Sequence, residues 1–195
     1  MEQPIHVIIE HSSWISEIGD LGPIAILISA FIAALIANNS IKTNRAIARK
    51  RATIDVILKL ESEPNYQKSM ATFKDFRDSG KLLDLINNLK SQKDKEALLE
   101  ITTFINHYEL ICTGMMEDTL DELFYFKWYR GALLKHWADL CPFILKLREI
   151  ENNNQLWIRF QTFAECWKND EFVTISKDRP SNHLNNQKTV KYKQD

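Results

Sequence analysis

The sequence predicts an all-α fold in which a single N-terminal transmembrane helix precedes a cytoplasmic, bundle-like domain of about six helices. Three observations lead to this fold class. Residues 21–37, a stretch of 17, carry no charged side chain. The 195 residues include only 5 Gly and 5 Pro, too few for a β-architecture with many turns. Elsewhere apolar residues recur at spacings of three and four, and no segment alternates cleanly as a strand would.

The apolar stretch predicts a transmembrane helix over residues 21–41. Its 17 uncharged residues cover about 26 Å of a hydrocarbon core roughly 30 Å thick, and flanking side chains can supply the remainder. A buried helix of a soluble core and a cleaved signal peptide are the two alternatives. The first would normally show a polar stripe, and the second a short positive segment before the span. Residues 1–20 instead form an acidic tail with four carboxylates and no Lys or Arg.

A basic cluster after the span predicts the orientation of the chain. Positive residues favour the cytoplasmic side, so the acidic tail is expected outside and the larger C-terminal part in the cytoplasm. Residues 42–62 are predicted to continue as a basic juxtamembrane helix. Attraction to anionic lipid adds to the anchoring, so no nucleic-acid partner is needed to explain the cluster. The anchoring charges are Lys42, Arg45, Arg49, Lys50 and Arg51.

Small residues recur every four positions in the span and therefore share one helix face: Ala25, Ser29, Ala33 and Ala37. Two such faces can approach closely and gain packing contacts that lipid cannot match. Alanine is also common in membrane helices, and the stripe contains no glycine. The pattern leaves two interpretations open, a packing face for another helix and ordinary membrane composition.

The cytoplasmic domain is predicted over residues 63–168. Pro64 is expected to end the juxtamembrane helix and open the next one, and Asp78-Ser79-Gly80 to form a turn. Pro142 is expected to start a new helix. The predicted helices after the juxtamembrane segment are 66–78, 81–90, 94–113, 119–137, 142–150 and 155–167. Residues 169–195 are predicted to be a polar tail without fixed structure.

Two helix ends are predicted from local signals. Gly114 is expected to stop the helix with the strongest apolar stripe, because glycine readily ends a helix. Thr119 and Glu122 then have the spacing of a capping box, in which each side chain bonds the other residue's backbone N–H.

No catalytic signature is present in the sequence. Gly80-Lys81 lacks the residues that a phosphate-binding loop needs around it, and neither HExxH nor paired CxxC occurs. The three cysteines are isolated and lie in predicted helices, which is typical of reduced, buried thiols in the cytosol. We therefore expect neither an enzyme nor a cofactor nor a metal site, and no small-molecule substrate is evident.

Three polar residues are candidates for a brace or an interaction site. Asn106 and Glu109 lie off the apolar stripe of the strongest helix, and Arg148 lies on a helix whose neighbours are apolar. A buried Glu109–Arg148 pair would be a structural brace, whereas the same residues exposed in a groove would bind a ligand. Solvated helix faces or an internal salt bridge are the simpler interpretations.

Three stretches of the domain together resemble a known family. They are FINHYELICTGMMEDTLDELFYFKWYRGALLKHW, PFILKLRE and FAECW. The family is a bacterial and phage domain of unknown function, number 4760, whose members typically have an N-terminal membrane helix and a helical domain with an asparagine–aromatic–glutamate stretch. Asn106, Tyr108 and Glu109 occupy that stretch, although His107 stands where a second aromatic is common. The positions that also match are Trp137, Pro142-Phe143-Ile144, Arg148 and Trp167.

The resemblance covers about residues 21–168 and implies the fold and the topology. The family has no established activity. Its occurrence in phage and defence-like settings implies infection-related roles. We expect a non-enzymatic, single-pass inner-membrane protein whose cytoplasmic helices bind a protein partner or a second copy, with membrane lipid around the span. The alternative is an effector of phage exclusion or abortive infection, in which oligomerised spans permeabilise the membrane. A hydrolase that uses Glu109 is the third hypothesis.

Overall fold

The computed structural model describes residues 14–87 and 91–174, with side chains described from Pro23 onward. The described chain contains six helices and no strand, which confirms the all-α fold class. Most of the predicted acidic tail, residues 88–90 of the helix predicted over 81–90, and residues 175–195 lie outside the described residues. The helices are α1 (Trp14–Ser62), α2 (Pro64–Asp78), α3 (Leu82–Asn87), α4 (Gln92–Met116), α5 (Glu122–Glu151) and α6 (Ile158–Lys168).

The chain divides into two compact units, residues 1–44 and residues 45–195. The first unit contains the N-terminal part of α1, which begins at Trp14, before the predicted start of the span. Every described side chain from Pro23 to Asn44 is exposed. Within the described chain, one helix is long and apolar enough to cross a membrane, and it covers Pro23–Ser62.

The second unit has its core between α2, α3, α4, α5 and α6, with one face of residues 45–62 of α1 packed against it. Aromatic rings fill the centre, and Phe73 stacks on Phe104 at 5.0 Å while Tyr108 stacks on Phe160 at 4.6 Å between ring centroids. All four rings are at most 2% exposed. The apolar stripe predicted for α4 is the buried face of that helix, as the three-and-four spacing requires.

Gly114 does not stop α4. The helix continues to Met116, and the left-handed backbone occurs at Asp118, with φ 56°. A Cβ on Gly114 would lie 2.8 Å from Cδ1 of Leu120. The glycine therefore makes room for the chain that returns against the helix, and its role is packing.

The capping box predicted for Thr119 and Glu122 is not formed. Asp121 is the N-cap of α5 and accepts a hydrogen bond from the backbone N–H of Phe124 at 2.8 Å. The Thr119 hydroxyl instead donates to the Gly114 carbonyl oxygen. A capping box does begin α4, where Ser91 and Asp94 bond each other's backbone N–H.

Pro142 does not start a helix either. It lies inside α5, so the two helices predicted over 119–137 and 142–150 are one helix, and five helices rather than six follow α1 in the described chain. Leu140, Ile144 and Leu147 continue one buried face across the proline. Proline removes a single N–H bond, and the apolar burial on this face outweighs that loss.

Candidate functional site

The predicted polar residues converge on the connection between α5 and α6. Asn106 and Glu109 reach it from α4, and Arg148 reaches it from the last turn of α5. The connection needs support because Trp157, which precedes α6, has left-handed backbone with φ 54°. A large non-glycine residue adopts this conformation only where its surroundings hold it.

Glu109 caps the first turn of α6. Its carboxylate accepts the backbone N–H of Phe160 at 2.9 Å and of Arg159 at 3.3 Å. The Arg159 guanidinium adds an ion pair with Nη1 3.6 Å from Oε1 of Glu109. A carboxylate at this place satisfies N–H groups that have no partner within the helix and favourably meets the helix dipole.

The direct Glu109–Arg148 pair considered for the brace is not formed. Arg148 is buried, and it donates from Nε to the Leu156 carbonyl oxygen at 2.9 Å and from Nη1 to Oε1 of Gln161 at 2.7 Å. Asn106 accepts a hydrogen bond from Nε1 of Trp157 at 2.7 Å. Each predicted side chain therefore binds the connecting segment or the start of α6, and the three act together as a structural brace.

Glu122, which the sequence predicts as part of a capping box, is a buried carboxylate with a different role. It is 1% exposed and accepts hydrogen bonds from Nε1 of Trp167 at 3.0 Å and from the backbone N–H of Val173 and Thr174 at 2.9 and 2.8 Å. Residues 172–174, which fall in the predicted polar tail, are thus attached to the core, and Phe172 is buried.

The basic cluster divides into exposed and buried members. Lys42, Arg45, Lys50 and Arg51 are exposed. Arg49 is 8% exposed, and its Nη1 lies 2.7 Å from Oδ2 of Asp118. Four residues of the cluster therefore place their positive charge at the surface, and the fifth belongs to the fold.

The small residues of the candidate span are all exposed within the first unit: Ala25, Ser29, Ala33 and Ala37. The Ser29 hydroxyl donates to the Ile26 carbonyl oxygen at 2.9 Å, so its polar group is satisfied within its own helix. An apolar environment can therefore surround this face without leaving a donor unpaired.

An open groove on the second unit, here called the aromatic groove, has a volume of about 410 Å³. Tyr129 donates a hydrogen bond to Oε1 of Glu61 at 3.3 Å at its edge. Trp128 is 66% exposed, although tryptophan is normally well buried in a folded domain. The lining residues are Glu61, Tyr66, Gln67, Met70, Trp128, Tyr129, Ala132 and His136.

His136 lies in the aromatic groove beside the core. Its Nδ1 is 2.6 Å from the Tyr108 hydroxyl. Burial, followed by the positive charge of Arg77, lowers the pKa of His136 to about 4, so the imidazole is neutral at pH 7. Burial also raises the pKa of Tyr66 and of Tyr108 above the usual tyrosine range. These groups are neutral hydrogen-bonding and packing groups at pH 7.

The three thiols lack the environment of a nucleophile. Burial raises the pKa of the Cys112 thiol well above its usual range and that of Cys166 to about 11, and it also raises the pKa of Cys141. A reactive cysteine needs a lowered pKa. Among the described residues, no group of three or more His, Cys, Asp or Glu side chains is placed to hold a metal ion.

The fold and the site define a helical domain that follows one candidate membrane helix. The chain belongs to the family described as "Domain of unknown function (DUF4760)", whose sequence model matches residues 23–167. The match confirms the family that the sequence resembled. No curated protein and no solved structure matches the chain.

Proposed function

We propose that this protein is a non-catalytic, single-pass protein of the bacterial inner membrane whose cytoplasmic helical domain binds a protein partner. The membrane assignment is supported by the length and apolar composition of the candidate span and by the exposure of all its described side chains. The orientation is supported by the four exposed cations that follow the span, because such residues favour the cytoplasmic side.

The observation that carries the binding proposal is the aromatic groove with Trp128 at its edge. Interface residues that contribute most to affinity are enriched in Trp, Tyr and Arg and sit in or beside pockets. Trp128 exposes two thirds of its surface next to a groove that Tyr66 and Tyr129 also line. Glu109, Asn106 and Arg148, by contrast, are engaged in holding the α5–α6 connection, which leaves the aromatic groove as the better binding surface.

The test compares two exposed positions in the full chain, purified from membranes of its native host. Trp128→Ala should lose the co-purifying partner, because it removes the aromatic edge of the groove. Leu110→Ala is the matched control, since Leu110 is 68% exposed on α4 and does not line the groove. Equal recovery of the partner with both variants would assign the contact to another surface, and purification without any partner would contradict the interaction proposal.

A second candidate function is a membrane effector of phage exclusion or abortive infection that acts by oligomerisation of the span. The observation that favours it is the exposed small-residue face Ala25, Ser29, Ala33 and Ala37. Expression should then depolarise the membrane and arrest growth. Replacing Ser29 and Ala33 by Leu should abolish both effects while insertion persists, because bulk prevents close approach without lowering hydrophobicity.

The matched control for the effector is Ile28→Leu with Ile32→Leu, which changes a neighbouring face at nearly constant volume. A dimerisation reporter in a bacterial membrane should lose signal only for the Ser29 and Ala33 pair. Expression without depolarisation, with both pairs behaving like the unaltered chain, would contradict the effector function.

A further inference from the structure

The part of α1 that belongs to the second unit has two different faces. Arg49, Thr53 and Ile57 recur every four residues and are buried at 8%, 1% and 5% exposure. On the other side, Ile47, Ile54 and Leu58 are 43%, 38% and 58% exposed. Three large apolar side chains therefore share an uncovered face of a helix whose opposite side already packs on the core.

The spacing of the exposed residues is that of a coiled-coil seam. At about 100° per residue, Ile47, Ile54 and Leu58 fall within about 40° of one another, and this face is about 120° from Thr53. Successive spacings of seven and four place Ile47 and Ile54 at heptad position d and Leu58 at position a. Arg51 occupies the a position between Ile47 and Ile54.

Charges flank the seam on both sides. In the same register Lys50 is a g residue and Asp55 is the following e residue. Five residues apart, these two side chains lie on opposite edges of one helix and do not face each other. Neither has an ion-pair partner among the described residues. In a parallel pair of helices, g of one chain meets the following e of the other, so each Lys50 would meet an Asp55.

We propose that the 45–62 segment of α1 pairs in parallel with the same segment of a second copy of this chain. Ile47, Ile54 and Leu58 form the contact, and Lys50 of each copy lies opposite Asp55 of the other. An antiparallel pair would instead align like heptad positions, g with g and e with e, and lose this charge match. Leucine at a with isoleucine at d also permits assemblies larger than two, so the proposal concerns the parallel contact and not the number of copies.

Arg51 weakens the contact, because it places like charges near each other at an a position. Two heptads are also short for a pair of free helices. Here the inference rests on the proposed membrane location, since anchoring in one bilayer with one orientation raises the effective concentration of the second copy and enforces the parallel arrangement. The contact is therefore expected in the anchored full chain, and Arg51→Leu is expected to strengthen it.

The experiment is oxidative cross-linking of the full chain in membranes. Ile54→Cys should give a disulfide-linked dimer, because d residues of a parallel pair face each other. Leu110→Cys is the control: it is more exposed than Ile54 (68% against 38%), lies on α4 outside the seam, and should remain monomeric. The chain without an added cysteine reports any background from Cys141, which is half-buried.

Charge exchange in the Ile54→Cys background tests the register. Lys50→Glu should lower the cross-linked fraction about threefold, because it turns two attractions into repulsions. Lys50→Glu together with Asp55→Lys should restore it, and Arg51→Leu should raise it above the starting level. Cross-linking of Ile54→Cys no stronger than that of Leu110→Cys, in samples where both are recovered in the membrane fraction, would overturn the inference. Absence of both from that fraction would instead contradict the membrane location, and this contact with it.

Discussion

Tyr108 and His136 are joined by a hydrogen bond, and the rings around them influence their chemistry. Besides their contact with each other, the two side chains make four aromatic contacts, including Phe104 at 5.3 Å from the His136 ring and Phe160 at 4.6 Å from the Tyr108 ring. This environment favours the neutral imidazole and opposes its protonation. The consequence appears in the pH dependence of stability.

The stability of the protein should fall as the pH is lowered from 6.5 towards 4. An unfolded histidine binds a proton below about 6.5, whereas folded His136 does so only near a pKa of about 4. The unfolded chain therefore holds more protons in this range, and the stability present above pH 6.5 is lost as the pH falls. Because His136 is partly exposed, the free energy of unfolding should fall by only about 1 kcal/mol between pH 7 and pH 5.

Urea unfolding of the detergent-solubilised chain, followed by tryptophan fluorescence, measures this effect. His136→Gln should show a smaller loss between pH 7 and pH 5, even if its stability is lower at both values. Hydrogen bonds from Lys68 and Arg77 lower the pKa values of Glu100 and Asp78. Such carboxylates therefore change the stability of the protein mainly below this pH range. An identical loss in the unaltered chain and in His136→Gln would assign the pH dependence to other groups.

At the scale of the helices, the buried faces and the boundary at Pro64 could be predicted, but two other helix ends could not. The stripe of α4 follows from spacing alone, because apolar side chains three and four residues apart share a face. Local preference predicts helix boundaries at Gly114 and Pro142, but both residues lie inside helices. Local preference is worth about 1 kcal/mol for glycine and about 3 for proline, and burial of a continuing apolar face can exceed either.

Two glycines inside helices should respond to alanine with opposite signs. Gly131→Ala should stabilise the protein by about 0.5–1 kcal/mol, because no atom lies within 4 Å of the new Cβ and alanine prefers the helix. Gly114→Ala should destabilise it by about 1 kcal/mol or more, since buried Leu120 must move. Thermal unfolding of the two variants is the measurement. Stabilisation by Gly114→Ala would show that Leu120 relaxes without cost.

At the scale of the whole molecule, the sequence predicted which polar residues form the brace but not which groups they bind. Asn106, Glu109 and Arg148 do meet at one place, yet they bind the α5–α6 connection, whose left-handed Trp157 has no signal in the sequence. Glu122 could have been suspected only from its apolar surroundings. The aromatic groove was not predicted, because α1, α2 and α5 contribute to it and their juxtaposition is set by packing between distant segments.

The folding unit should be residues 45–174 and not the predicted domain 63–168. The longer fragment keeps Thr53, whose hydroxyl accepts the Asp121 N–H, and Ile57 in the core. It also keeps Val173 and Thr174 on the buried Glu122 carboxylate. Fragment 45–174 should unfold cooperatively in urea, and fragment 63–168 should be several kcal/mol less stable, because the buried Glu122 carboxylate and buried apolar surface lose partners.

Both fragments should still give helical circular dichroism spectra, so the denaturation midpoint is the discriminating quantity. Equal midpoints would mean that the α1 segment and residues 169–174 contribute little to the domain.

The proposed orientation predicts the result of reporter fusions. A reporter active only in the cytoplasm should be active when fused after Thr174 and inactive when fused before Leu21. Replacing Lys42, Arg45, Lys50 and Arg51 by Gln should produce mixed orientations, because the positive bias is concentrated there. Arg49 is left unchanged, since its loss would also disturb the fold at Asp118. The opposite pattern of reporter activity would contradict the orientation.

The Arg49–Asp118 ion pair joins residues that the ribosome adds at different times. They are 69 positions apart, and at roughly 5–20 residues per second Asp118 follows Arg49 by about 3–14 s. In a chain that inserts as it is made, Arg49 reaches the membrane surface with its four basic neighbours before its fold partner exists. It can thus contribute to orientation first and to the packed domain afterwards. With the proposed membrane location, the order of synthesis would separate the two uses of one side chain in time.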